Sequence, residues 1–172
     1  QIMDGGNGAS DAAAPIYNKF VEVSEAIAPN YLSMIMPSKW MVGGRSELSS
    51  FLERMKDDIR LSYMKDYRND RTIFFFFFND GGICYFLWDA QKTMQGIDYN
   101  YITMDGDLVH SNAIKNRFTS YIIRDTRVIP ILEKVFPTEE SLSSQNRFSS
   151  IVSKTRPFGL RKDIFNSPEN YP

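Results

Sequence analysis

The chain has 172 residues, a formal net charge of −1, 42% hydrophobic and 14% aromatic residues, one cysteine and one histidine, the scale of one domain or one and a half. Cys84 alone cannot close an intrachain disulfide, and His110 alone cannot anchor a Cys/His metal cluster. The longest apolar run, around Ile73 to Phe78, is far too short to span a bilayer, and no basic segment leads into an apolar one at the N-terminus, so a soluble, cytoplasmic protein is expected.

Gln1 to Ala14 holds three glycines and two aspartates without periodicity and reads as a loop. A chain that opens at Gln1 on such a segment is expected to be an excised piece of something longer. Pro15 suits the first turn of a helix, and Ile16, Phe20, Val23 and Ile27 recur at the spacing of one buried helical face, ended by Pro29 and Asn30. Tyr31 to Met36, stopped by Pro37, has the length and apolarity of a strand buried on both faces. Ser46 can cap a second helix whose apolar face is Leu48, Phe51, Leu52, Met55 and Ile59, with Glu47, Glu53, Arg54 and Asp57 opposite. Arg60 to Tyr67 alternates weakly, and Ile83 to Trp88 is a strongly apolar run between Gly82 and Asp89, so two more strands are predicted. Tyr99 to Val109 reads as a hairpin turning at Asp105, Gly106 and Asp107. Asp125 to Phe136 is a helix if Pro130 lies in its first turn. Phe148 to Val152 has room for one further turn.

Charge is distributed unevenly. Residues 1 to 109 carry 10 Lys/Arg against 15 Asp/Glu, whereas residues 110 to 162 carry 10 against 4. A basic C-terminal third nominates a polyanion partner, although an ordinary solvated face has the same composition.

Chemistry-bearing motifs are few. The glycine clusters at 5 to 8, at 43 and 44, and at 81 and 82 lack both the spacing of a dinucleotide fingerprint and the Gly-Lys-Ser/Thr ending of a phosphate loop. Gly43 and Gly44 therefore read as a turn. His110 reads as a surface residue beside the hairpin, and Cys84 as an inert small hydrophobe within a strand. The run Phe74 to Phe78 is different, because five successive phenylalanines cannot all face one core. Some of them are exposed or line a cavity, which is how interaction surfaces and base-stacking sites are built; a core strand with a poorly soluble edge is the plainer alternative.

Read together, YNKFVE (17 to 22), YLSMIMPSKWMVGGR (31 to 45), GGICYFLWD (81 to 89) and SSIVSKTRPFGL (149 to 160) resemble the restriction-modification DNA methyltransferases that methylate the exocyclic amino group of adenine. In that family a helix with a Tyr-Asn-x-Phe-like segment precedes a strand ending in Met-Ile-x-Pro-x-x-Trp. A Phe-Pro-led loop and a Gly-Gly-Val-Cys-Tyr-Phe-Leu-Trp-Asp-like strand follow. The blocks appear in the same order here, over roughly residues 15 to 90 and again near 148 to 162. The family's catalytic Asn-Pro-Pro-Tyr stands just before a glycine-rich loop, so the resemblance puts the catalytic residues, and a glycine-rich cofactor motif, upstream of Gln1.

What the resemblance implies follows from the chemistry. Adenine's amino nitrogen is a poor nucleophile, so the family accepts its N–H bonds on the Asn and a backbone carbonyl, and aims it at the sulfonium methyl of S-adenosylmethionine. By resemblance Phe20 packs against the cofactor's adenine, Pro37 shapes the cofactor side of the cleft, and Phe74 holds the extruded base. Phe75 to Asp80 depart from the family, which has a proline and mixed polar residues there. Arg147, Lys154, Arg156, Arg161 and Lys162 stand at the entry to target recognition as contacts to the phosphates of double-stranded DNA, with base-reading residues beyond Pro172.

The expected fold is α/β, a partial methyltransferase (Rossmann-like) sheet, mostly parallel with one antiparallel strand at Ile83 to Trp88, followed by a hairpin and helix leading to a second domain. Residues 1–95 would be the C-terminal half of the catalytic domain, 96–144 the hairpin and connecting helix, and 145–172 the start of a target recognition domain. Half a sheet leaves an exposed edge and apolar face, so self-association is expected. A non-catalytic DNA-binding specificity module and an α/β protein-interaction domain stand as alternative functions.

Overall fold

A computed structural model describes residues 15–43, 46–75, 81–139 and 141, the side chains of residues 46 and 47 apart. The chain divides into two compact units, Gln1–Ile129 and Pro130–Pro172. In the first, a helix α1 (Tyr17–Ala26) leads into β1 (Tyr31–Pro37), a 3-10 turn (Ser38–Val42) and α2 (Ser46–Asp57). The strands β2 (Leu61–Tyr67), β3 (Ile83–Asp89), β4 (Asp98–Ile102) and β5 (Leu108–Ser111) follow. Among the described residues no helix is long and apolar enough to cross a membrane.

The strands form one sheet in the order β1-β3-β2-β4-β5. As expected, β3 is inserted antiparallel between β1 and β2. The expectation of a mostly parallel sheet is corrected: β2 and β4 are the parallel pair, and β4–β5 is an antiparallel hairpin. The cause is geometric. β1, β2 and β4 do run the same way, but β3 lies between the first two, so neither is hydrogen-bonded to the other. The hairpin turn falls on Asp105–Asp107 as predicted, with Gly106 at φ +90°.

Register places a single row of residues on the buried face. Leu32, Met34 and Met36 stand opposite Trp88, Phe86 and Cys84, which in turn face Leu61, Met64 and Asp66. Tyr99 and Tyr101 continue the row on β4, and Val109 on β5. Because strand side chains alternate, this face collects the core. Val21 of α1 and Leu48, Phe51, Leu52 and Met55 of α2 close over it, as do Ile114 and Ile122 beyond the hairpin. The predicted apolar face of α2 is therefore confirmed through Met55; Ile59 lies past the helix end and is partly exposed.

Two burial expectations are corrected. α1 buries Tyr17's neighbour Asn18 and Val21, while Phe20, Val23 and Ile27 face outward. The rival stripe wins because Glu25 pairs with Arg54 of α2 and Tyr17 packs edge-on against Phe51; tertiary partners, not the helix's own apolarity, choose its inner face. β1 is the edge strand of the described sheet rather than a strand buried on both sides. It pairs with β3 alone, and Tyr31 and Ile35 are exposed.

The predicted helix near Asp125 begins later. The Asp125 carboxylate accepts from the backbone N–H of Arg127 and caps a 3-10 turn (Thr126–Val128), after which α3 (Ile129–Val135) holds Pro130 in its first turn. In the second unit the described residues of this helix are not buried. The loop predicted for Gln1 to Ala14 and the turn predicted at Phe148 to Val152 lie outside the described residues.

Gly82, at φ +84°, shows why that glycine pair is there. A Cβ on it would stand 2.0 Å from the carbonyl oxygen of Tyr67 and 2.9 Å from that of Arg68. Gly106 has nothing within 4 Å of the same position. In urea unfolding, Gly82→Ala is expected to cost about 3 kcal/mol or more, from overlap with fixed backbone added to positive-φ strain; Gly106→Ala should cost only about 1–2 kcal/mol, from the strain alone.

Candidate functional site

Pro37, Tyr67 and Ile102 end the three co-directional strands, and the register sets them in one row with Ile83. The carboxyl ends of such strands are where open α/β sheets bind their ligands. Four segments meet there: the turn after β1, the turn after β2, Gly81 and Gly82 before β3, and the stretch around Arg124.

One carboxylate ties them together. Asp66, fully buried near the end of β2, accepts from the Ser38 hydroxyl at 2.7 Å and the Tyr99 hydroxyl at 2.9 Å. Arg124 closes a two-pronged fork on the same group, Nε to Oδ2 at 2.5 Å and Nη2 to Oδ1 at 2.7 Å. Its remaining Nη1 donates to the Gly81 carbonyl at 2.7 Å, and its guanidinium lies 5.1 Å from the centre of the Tyr101 ring. Burial alone would weaken the guanidinium's hold on its proton, but the hydrogen bonds and charge of Asp66 outweigh it and raise its pKa. Next to this group, the Ser38 N–H donates to the Gly82 carbonyl at 3.0 Å, and the Arg68 N–H to that of Ile102 at 2.9 Å.

Phe74 is built onto the same edge. Asn69 caps a 3-10 turn (Asp70–Thr72) by accepting from the Arg71 N–H, and the Thr72 hydroxyl donates to the Asn69 carbonyl at 2.7 Å. The N–H groups of Ile73 and Phe74 both donate to the Asp70 carbonyl at 2.9 Å. Phe74 is 41% exposed and Phe75 83%, as the impossibility of burying the whole run requires. Phe76 to Asp80 lie outside the described residues.

Phe20 is 58% exposed in the first turns of α1, so it is not a core residue of its helix. That end of α1 is fixed by Tyr17, which packs on Phe51, the ring that Trp40 also meets edge-on at 5.3 Å. Pro37 is the last residue of β1, half-buried opposite Ile83. Arg147, Lys154, Arg156, Arg161 and Lys162 lie outside the described residues. His110 is exposed on β5 with its Nε2 3.1 Å from Asp98, and Cys84 is buried in β3. Gly43, at φ +67°, closes the turn after β1.

A cavity of about 100 Å³ lies at the opposite end of the sheet, lined by Met55, Asp58, Leu61, Gln95 and Ile97 among others. It holds neither Phe20, Pro37 nor Phe74, and is smaller than the several hundred Å³ that ligand sites occupy.

Residues 1–74 match the family of the Eco57I restriction-modification methylase. The matched stretch takes in α1, β1, α2, β2 and the turn up to Phe74. The chain is also 24% identical over 165 residues to an uncharacterized adenine-specific methylase of Mycoplasma pneumoniae, covering 96% of this chain and 32% of that relative. It thus spans about a third of the length of the curated relative it matches. Both likenesses are to methylases.

The residues that sequence reading missed are Ser38, Asp66, Tyr99 and Arg124. A weak signal existed for Asp66: strand alternation from Met64 puts a carboxylate on the apolar face, and an acid there requires a partner. Nothing local marks Arg124 as that partner, 58 residues away.

Alkaline pH tests the burial of this region. Burial pushes the Cys84 thiol from an ordinary 9.0 up to about 12, helped by the Asp66 charge, and the Tyr17 hydroxyl from 10.0 to about 12. Burial raises the Tyr99 hydroxyl further still. The unfolded chain ionises these groups first, so their contribution is fully present below about pH 8.5 and is lost as pH rises toward 12. Urea unfolding at pH 8 and 10.5 should show the midpoint falling, and Cys84→Ala should flatten the first part of that fall.

Proposed function

We propose that this chain is part of an S-adenosylmethionine-dependent DNA adenine methyltransferase of a restriction-modification system, acting on the exocyclic amino group of an adenine turned out of the duplex. The observation that carries this reading is the methylase-family match over residues 1–74, within which Phe20 and Phe74 are both exposed and Pro37 ends β1 at the row of strand ends. When bound, the cofactor supplies an electrophilic sulfonium methyl. The residues present fit such a group in their chemistry: Phe20, exposed on α1, can stack on an adenine ring, and Pro37 ends β1 without a backbone N–H. Phe74 offers the face on which an extruded base stacks. The basic segment carrying Arg147, Lys154, Arg156, Arg161 and Lys162 is the phosphate-contacting side of this reading.

No Asn-Pro-Pro-Tyr occurs in the sequence, so the residues that would hold the amino nitrogen are not supplied by this chain. Alone it is expected to transfer no methyl group; labelled methyl from S-adenosylmethionine appearing in DNA with the purified 172-residue chain would overturn that. In the intact protein carrying this sequence, Phe20→Ala should raise KM for S-adenosylmethionine roughly tenfold, the scale of one lost aromatic stack, with DNA affinity unchanged.

For the basic segment, the slope of log K for duplex DNA against log salt should become shallower by about 2 when Arg156 and Arg161 are both replaced by alanine. An unchanged slope removes this segment from the DNA interface.

A second reading, a protein-interaction surface, is favoured by the outward apolar residues Phe20, Val23, Ile27, Tyr31 and Ile35. It includes self-association of the isolated chain. Sedimentation of that chain as a concentration-independent monomer argues against it.

A further inference from the structure

We infer that Arg124 is the positioning residue of the target-base site: by gripping Asp66 and the Gly81 carbonyl together, it holds the turn that presents Phe74. This rests on the methyltransferase reading for what Phe74 does, and on geometry alone for what Arg124 does.

The argument starts from donors and acceptors. A guanidinium has five N–H bonds in a rigid fork. Arg124 places Nε and Nη2 on Asp66 and Nη1 on Gly81, so one side chain joins the end of β2 to the start of β3. The segment 68–82 leaves from the first of those strands and returns to the second, and Phe74 hangs on its opening turn. At its close, Gly82 sits directly against the Tyr67 and Arg68 carbonyls, too near for any Cβ, and its own carbonyl accepts the Ser38 N–H at 3.0 Å. At its opening, the Arg68 N–H is held by the Ile102 carbonyl, and Phe74 by that of Asp70.

Ser38 ties Asp66 to Gly82 by its hydroxyl and its backbone N–H, and Arg124 ties Asp66 to Gly81 by a side chain alone. Lysine keeps the charge at that position but has a single nitrogen, which cannot span Asp66 and Gly81 in the same fork. The pair is also poorly suited to stability alone, since a buried ion pair is often matched by apolar residues of similar volume. Its distinctive property is geometric: the β2–β3 ladder ends at Tyr67 and Ile83, and Arg124 carries the hold past it to Gly81, on the loop side of that last pair. A ring that must meet an extruded base needs such fixing, because stacking is lost with small displacements.

Two variants of the intact protein test this, Arg124→Lys and the paired Asp66→Leu/Arg124→Met, the second removing both charges together so that neither is stranded. Two readouts are taken, hydrogen exchange at the amides of Ile73 and Phe74, and transfer of labelled methyl to unmethylated plasmid DNA. In both variants protection at Ile73 and Phe74 should drop about tenfold, with Leu61 and Asp89, whose amides are hydrogen-bonded at the far end of the sheet, within about twofold of the parent. Arg124→Lys should lower kcat about tenfold while KM for S-adenosylmethionine stays within about twofold. Unchanged protection in both variants overturns the inference, whatever the activity. Lost protection with unchanged kcat also overturns it, because the turn would then move without consequence. Lost protection in a parent protein that transfers no methyl group to DNA leaves the positioning intact and refutes the methyltransferase reading instead.

Discussion

The carboxyl edge of this sheet depends on a single buried ion pair. Asp66 has no exposed surface, and taking a carboxylate out of water is costly unless every lone pair finds a donor. Here Ser38, Tyr99 and the two prongs of Arg124 supply four. The consequence is that four segments distant in sequence cannot move independently: the turn after β1, the end of β2, strand β4 and the stretch at Arg124. Gly81 and Gly82 join this assembly through their backbone carbonyls.

The rest of the molecule is arranged around that edge in an asymmetric way. One face of the sheet is a continuous core under α1 and α2. The other carries Tyr63, Tyr67 and Tyr85, whose rings lie 5.9 and 6.3 Å apart across the strands, none of them fully buried. Tyr31 and Ile35 on the outer face of β1, and Phe20, Val23 and Ile27 on the outer stripe of α1, add exposed apolar residues on opposite faces of the sheet, while Leu108 on β5, Met94 and Met104 are exposed elsewhere.

Parts of the site were legible from residue types. The phenylalanine run announced exposed aromatics because no regular structure can turn five neighbours inward, and Phe74 and Phe75 are exposed. Periodicity alone misplaces Phe20. Ile16, Phe20, Val23 and Ile27 form a good helical stripe, yet Phe20, Val23 and Ile27 face outward, since Glu25, Val21 and Tyr17 found partners on α2 and in the core. Of the Asp66 network only the carboxylate on an apolar strand face was legible; its partners were not, because they are scattered from Ser38 to Arg124 and none belongs to a local motif.

Sequence alone determined the local elements: two amphipathic helices, the apolar strands, the Asp105–Asp107 hairpin turn and the position of Pro130 in a first turn. These follow from periodicity, turn chemistry and proline geometry, which act over a few residues. Only the tertiary structure decided which face of α1 is buried, that β3 separates β1 from β2 so that parallel strands do not pair, and that Asp66 meets Arg124. Those outcomes are set by which surfaces become neighbours when the chain closes on itself, and that depends on all the segments at once.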